Sequence, residues 1–244
     1  MRIKSYFVCL AMMMTFSLAE AEVLQFKPVE GYQTYAKREP VFSLKPGDIL
    51  ETNTLYSDFF TEKDGHWPGE VGPIYIEGAT PADTLIIKIL KISPNIETGR
   101  SGTSTVYGSL TATTNTPMLH DPVPEKMFIW NIDTRNRTAT LELPHSRMKK
   151  IQVELSPMLG RLATAPPDDQ AIPGGVPYNF GGNMDTPEAC EGATVYLPIF
   201  HEGAYFYFGD VHALQGDGEI TGSGIETSAD VTMQIDLIKD YKIA

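Results

Sequence analysis

An all-β fold, a β-sandwich or distorted barrel, is predicted by three observations. Runs of β-branched and aromatic residues recur along the 244 residues, turns rich in Gly and Pro separate them, and no stretch carries the apolar period of a three-turn amphipathic helix.

The elements follow in order. Arg2 and Lys4, the apolar run "YFVCLAMMMTFSL" and Ala19-Glu20-Ala21 have the pattern of a secretory signal, too short to span a bilayer. Residues 1–21 are therefore expected to leave, and residues 22–244 to form one secreted or periplasmic domain. "VFSLKPGDILETNTLY" reads as strand, turn, strand around Pro46-Gly47-Asp48, where proline presets one dihedral and glycine permits a positive one. "GPIYIEG" and "DTLIIKILKI" are a short and a long strand. "KMFIWNIDTRNRTATLEL" reads as a hairpin, since Thr138, Thr140 and Glu142 alternate with Ala139, Leu141 and Leu143. "TVYLPIF" and "AYFYFGD" flank His201-Glu202-Gly203 as a second hairpin, with Pro198 marking an edge position. "DVTMQIDLI" closes the chain with Val231, Met233, Ile235 and Leu237 on one face. Two segments, 93–125 and 160–193, are rich in Ser, Thr, Gly and Pro and read as irregular; long loops of this kind usually carry function or are disordered.

The formal net charge is −12, and loss of Arg2, Lys4 and Glu20 with the signal makes it −13. Such a surface repels nucleic acid and anionic lipid, which excludes both as partners and suits neutral or cationic ligands and divalent ions. No later stretch is apolar enough to cross a membrane as a helix. Cys9 goes with the signal, so Cys190 is alone and no internal disulfide is expected. A Gly-x-Ser-x-Gly elbow, a paired-histidine metalloprotease motif and a phosphate-cradling loop are all missing.

The stretch "GDVHALQGDGEITGSGIETSADV" places His212 among glycines and five acidic residues. Neutral imidazole is the usual zinc ligand and a usual base near neutral pH, which makes His212 the first candidate. Glu226 lies just before the last strand and is expected to point inward, where a carboxylate needs a metal, a cation or donors. Asp185 in "GGNMD" and Glu77 in "YIEGATPAD" complete the candidates, both beside glycines at strand ends. Asp217 and Glu219 in "GDGE" read as tight-turn chemistry.

Taken together, "GPIYIEGATPADTLIIKILKI", "LATAP", "NFGGNMD" and "GATVYLPIFHEGAYFYFGDVHALQGDGEITGSGIETSADVTMQI" resemble the acetamidase/formamidase family. The resemblance implies an all-β subunit in a homodimer or higher oligomer, hydrolysis of the carbon–nitrogen bond of short linear amides, and a divalent metal, zinc first. By motif it implies Asp185, His212 and Glu226 as metal ligands and Glu226 or Glu77 as the base, with Asp210 and Gln215 as lesser candidates. A His-x-x-Trp-like element found in many members is missing from "YQTYAKREPVF", and in the short "LYSDFFTEKDGHWPGEVGP" only Asp58 and His66 are expected to supply polar groups. The alternative is a catalytically reduced module on the same scaffold that holds a small molecule or a metal. A carbohydrate-binding sandwich would need an exposed aromatic row, whereas Tyr205 to Phe208 are consecutive and point to both faces.

Overall fold

In the computed structural model the described residues are 21–104, 107–110, 121 and 123–243; the expected signal lies outside them except for its last position. Among them are seventeen strands, two short 3-10 turns and no α-helix. One sheet runs β1 (Val23–Gln25), β4 (Ile49–Asn53), β17 (Ala229–Ile238), β6 (Thr84–Pro94), β14 (Thr194–Pro198). The larger sheet runs β10 (Lys149–Glu154), β9 (Thr138–Leu143), β8 (Lys126–Asp133), β7 (Thr98–Thr103), β16 (Glu226–Thr227), β15 (Phe206–His212), β11 (Met158–Ala163), β13 (Gly181–Asn183). Beside β15 also lies β5 (Val71–Ile76), which pairs with β3 (Phe42–Leu44); β2 (Thr34–Tyr35) and β12 (Ile172–Pro173) form a separate ribbon.

The alternation in β17 does what its pattern demands. Val231, Met233 and Ile235 join Leu50, Ile87 and Ile89 in a core shared with Ile74, Leu159, Leu162, Phe206 and Phe208 of the larger sheet. Tyr207 points the other way and packs with Tyr35 and Phe180, so the aromatic run of β15 serves both faces of its sheet. The β8–β9 hairpin forms as expected, and β14 is an edge strand, where the missing N–H of Pro198 breaks no ladder.

Two expectations need correction. His201-Glu202-Gly203 is not a hairpin turn: β14 pairs with β6 in one layer, and β15 with β5, β11 and β16 in the other, so the turn carries the chain between layers. Local turn chemistry is the same in both cases; the layer is decided by where the apolar face is buried. The segments 93–125 and 160–193 are also less irregular than their composition suggests, because they contain β7, part of β11, β12 and β13. In β7 a Cβ on Gly99 would sit 2.6 Å from Cγ2 of Ile225, so close packing requires glycine where the alternation signal needs a side chain.

Candidate active site

The strand β15 carries the centre of the site, and all seven of its residues are buried. Pairing sets His212 directly opposite Glu226 of β16, and Glu226 opposite Arg100 of β7. Cross-strand partners share a face, so the three side chains lie in a row on one side of the sheet. Asp210, two positions before His212, holds a left-handed backbone with φ of 57°, and Asp185, after β13, one of 42°. Non-glycine residues in this region are strained and cluster at functional sites.

Nε2 of His212 lies 3.0 Å from Oε2 of Glu226 and 3.4 Å from Oδ1 of Asp210. On the other edge of the ring, Nδ1 is 2.6 Å from Oε1 of Gln215, and Nε2 of Gln215 donates to the Asp185 carbonyl at 2.5 Å. That second bond orients the Gln215 amide, so its oxygen faces the ring and Nδ1 carries the proton. Nε2 is then turned towards two carboxylates, an arrangement that holds either a proton or a metal cation at that nitrogen. Glu226 also accepts from the backbone N–H of Gly224 at 2.9 Å. Oε1 of Glu219 approaches Nδ1 of His212 to 3.9 Å.

A second layer of charge lies beneath. Nε of Arg161 is 3.0 Å from Oδ2 of Asp210 and donates to Oδ1 of Asn183 at 2.5 Å, and Nη1 donates to Oε1 of Glu70 at 2.5 Å. Asn183 in turn donates through Nδ2 to Oδ2 of Asp185. Trp67 donates to the same Glu70 oxygen at 3.0 Å, and its ring lies 4.8 Å from the Arg161 guanidinium carbon. On the far flank Arg100 donates to the carbonyls of Phe59 and Glu62, so arginines on two strands contact the 57–70 segment that walls the site.

Burial dominates the electrostatics. It pushes Glu226 up to about 7 against the pull of His212, and Glu219 to about 7 in the same way. Asp185 rises to about 7 through burial and its neighbours Asp210 and Glu219. Burial also disfavours ionisation of Asp210, but Arg161 and His212 outweigh it and hold this carboxyl well below its usual range. His212 loses charge to burial, yet Glu226 and Asp210 together raise it well above the ordinary imidazole value.

Among the described residues two sets of donors lie close enough to share one metal ion: Asp210, His212 and Glu226, and Asp185, His212 and Glu219. The Gln215 contact favours the first, because it leaves Nε2 as the ligand atom. Oδ1 of Asp185 is buried with no hydrogen-bond partner among the described residues, which leaves it available to a ligand. A nitrogen with two or more carboxylate oxygens suits zinc and other divalent ions, so the residues present fit such an ion. All these groups face a cavity of about 690 Å³, which Phe59, Trp67 and Arg100 also line.

Of the four residues expected at the site, three meet there: Asp185, His212 and Glu226 all line the cavity, and Glu77 does not. Glu77 is exposed in the turn that follows β5, where its N–H bonds to the Leu44 carbonyl. Just before the opposite end of that strand lies fully buried Glu70. Glu219 is more than turn chemistry, since the 3-10 turn of 217–219 delivers it to the cavity. Asp58 and His66 pair loosely with each other at the surface; from their segment Lys63 and Trp67 line the cavity, and Glu70 reaches Arg161 behind it.

Small residues make room for the carboxylates. A Cβ on Gly160, opposite Asp210 across the β11–β15 ladder, would lie 2.6 Å from Oδ1 of Asp185 and 2.9 Å from both Oδ2 and the backbone oxygen of Asp210. Gly160→Ala is therefore expected to destabilise the protein by about 1–3 kcal/mol, the cost of overpacking, and to weaken metal binding with it. Denaturant titration measures the first; an unchanged midpoint would contradict the packing described.

A sequence model described as the Acetamidase/Formamidase family matches residues 169–244. The chain is similar to an acetamidase of Mycolicibacterium smegmatis, at 30% identity over 69% of this chain and 53% of that protein, and to a formamidase of Methylophilus methylotrophus, at 26% over 69% and 51%. Its structure resembles that of an acetamidase from Yersinia enterocolitica, with a TM-score of 0.78 and 28% identity over 93% of this chain and 71% of the other. An acetamidase from Bacillus halodurans gives a TM-score of 0.71 and 26% identity over 90% and 72%. The chain spans about half the length of the curated relatives it matches.

Proposed function

Because the chain belongs to the acetamidase/formamidase family, we propose that it hydrolyses the carbon–nitrogen bond of a short linear amide at the Asp210, His212 and Glu226 site, with a divalent ion, zinc first, as cofactor. The observation that carries this reading is His212, with Nδ1 committed to Gln215 and Nε2 facing two buried carboxylates. An ion held by those three residues would supply Lewis acidity, making a water nucleophilic near neutral pH and polarising the amide carbonyl.

The remaining steps fall to this chain's own groups. An amide nitrogen leaves only when protonated, so a proton must be taken from the attacking water and returned to nitrogen. Asp185 and Glu219 face the cavity and are held near 7 by burial, the range in which a carboxyl both accepts and releases a proton at neutral pH. As the new C–O bond forms, one of them takes the water proton. As the C–N bond breaks, it gives that proton to the departing nitrogen, leaving a carboxylic acid and ammonia. Glu226 is better placed as a ligand than as the base, because one oxygen faces Nε2 and the other is held by Gly224. Export, supported by the pattern of residues 1–21, and assembly into a homo-oligomer, supported by the family resemblance, belong to the same reading.

Ammonia release from formamide, acetamide and longer linear amides tests it. Hydrolysis of at least one of them is expected, lost on chelation and restored by Zn²⁺. Stoichiometric metal without ammonia release from any amide would favour the binding module instead, and hydrolysis indifferent to chelators would remove the metal from the mechanism.

A further inference from the structure

We propose that Arg161 is a positioning residue that aims Asp210 at His212, and that Glu70 and Trp67 hold Arg161 in place for that task. The assignment rests on the metal-site reading above and extends it to a cluster which that reading does not use.

The geometry fixes Arg161 in every direction. Within the guanidinium plane it meets acceptors on three elements: Asn183 of β13, Asp210 of β15 and Glu70 just before β5. Across the plane the Trp67 ring covers one face. Its side chain is only 16% exposed. The carboxylate of Asp210 divides its oxygens, Oδ2 to Arg161 and Oδ1 to His212. Any rotation about the Cβ–Cγ bond moves both oxygens together, so the grip on Oδ2 sets where Oδ1 points. That control matters because Asp210 sits on a strained, left-handed backbone.

Stability alone does not account for Glu70. It is fully buried, and while Oε1 accepts from Arg161 and Trp67, Oε2 is buried with no partner among the described residues. That oxygen occupies space which Gly209 leaves open, since a Cβ there would be 2.1 Å away. A buried carboxylate with one oxygen unpaired costs more than a well-packed apolar side chain of the same size. Its effect is to place the Arg161 fork, whose opposite edge faces Asp210.

The test measures Zn²⁺ affinity of metal-free protein by competition with a chromophoric chelator, together with kcat and KM for the best short amide. Arg161→Gln is expected to weaken Zn²⁺ binding about 10–100-fold, the usual effect of removing a group that orients a metal ligand, and to lower kcat with little change in KM. Arg161→Lys keeps the charge but cannot bridge three acceptors, so a loss of about 5-fold or more in Zn²⁺ affinity is expected even with an unchanged melting temperature. Glu70→Leu keeps much of the volume but offers Nη1 no acceptor, so a loss of about 5-fold or more in Zn²⁺ affinity is expected. Should Arg161→Gln fail to fold, Arg161→Lys and Glu70→Leu decide the matter. An Arg161→Lys protein within 2-fold of wild type in affinity and kcat would overturn the assignment while leaving the metal site standing. A wild type that binds no Zn²⁺ overturns both.

Discussion

His212→Gln is expected to lower amide hydrolysis on the order of 10³-fold or more and to abolish stoichiometric Zn²⁺ binding. Lewis-acid activation is worth several kcal/mol in the transition state, and each 1.36 kcal/mol is about tenfold in rate. No other histidine joins the metal-binding groups found among the described residues, and both of those groups need His212. Glutamine keeps roughly the volume and a polar end, and the main apolar core lies elsewhere, between the two sheets, so the protein should still fold. Glu77→Gln is the matched control, exposed in its turn and expected to leave rate and metal content unchanged. Steady-state ammonia release and metal analysis on both variants check this. A folded His212→Gln protein that keeps more than about a tenth of the activity would remove the metal ligand set from the mechanism.

Metal-free protein is expected to melt higher at pH 5 than at pH 8, by about 5 °C or more, and Zn²⁺ at pH 8 should recover most of the difference. Glu70 and Glu226 are fully or nearly fully buried and are raised from the ordinary carboxyl range to about 7 by that burial. A carboxyl raised in the folded state contributes stability that is complete below its unfolded pKa and is lost as pH rises through the folded value, here across roughly pH 4.5 to 7. His212 has the same sign: its raised pKa contributes fully below the unfolded value, and that contribution is lost as pH rises through the folded one. Asp210 has the opposite sign, but its depressed pKa costs stability only in the acid range below about 4. For a domain of this size one kcal/mol moves the melting temperature by roughly 2–4 °C, which makes the shift measurable by calorimetry in the presence of a chelator. A melting temperature that stays flat or falls from pH 8 to pH 5 would contradict the burial of these charges.

The parts of the fold that were legible are those in which one strand carries its own pattern. β17 shows its core face in Val231, Met233 and Ile235, and the β8–β9 hairpin shows its alternation. β7 could not be seen, because Gly99 and Gly102 replace side chains where neighbours approach closely, leaving no alternation to read. For the site, "GGNMD" and the motif around His212 pointed to Asp185, His212 and Glu226; these line one cavity, and register places the last two face to face. Neither stretch could find Glu70 or Arg161. A lone acid before a strand and a lone arginine inside one look like surface charges until the fold encloses them, 91 residues apart, in one ion pair. Glu77 is exposed and lies away from the cavity for the same reason, since both ends of β5 are flanked by a glutamate and only tertiary packing decides which end is buried.

By itself, then, the sequence determined the all-β class, the family and the glycine-spaced histidine and carboxylates, because these depend on residue type and near-neighbour spacing. Tertiary structure alone decided which strands share a layer, which oxygens face Nε2, and which charges are buried deeply enough to shift towards neutral pH, because burial and ion pairing depend on residues that meet only when distant strands pack together.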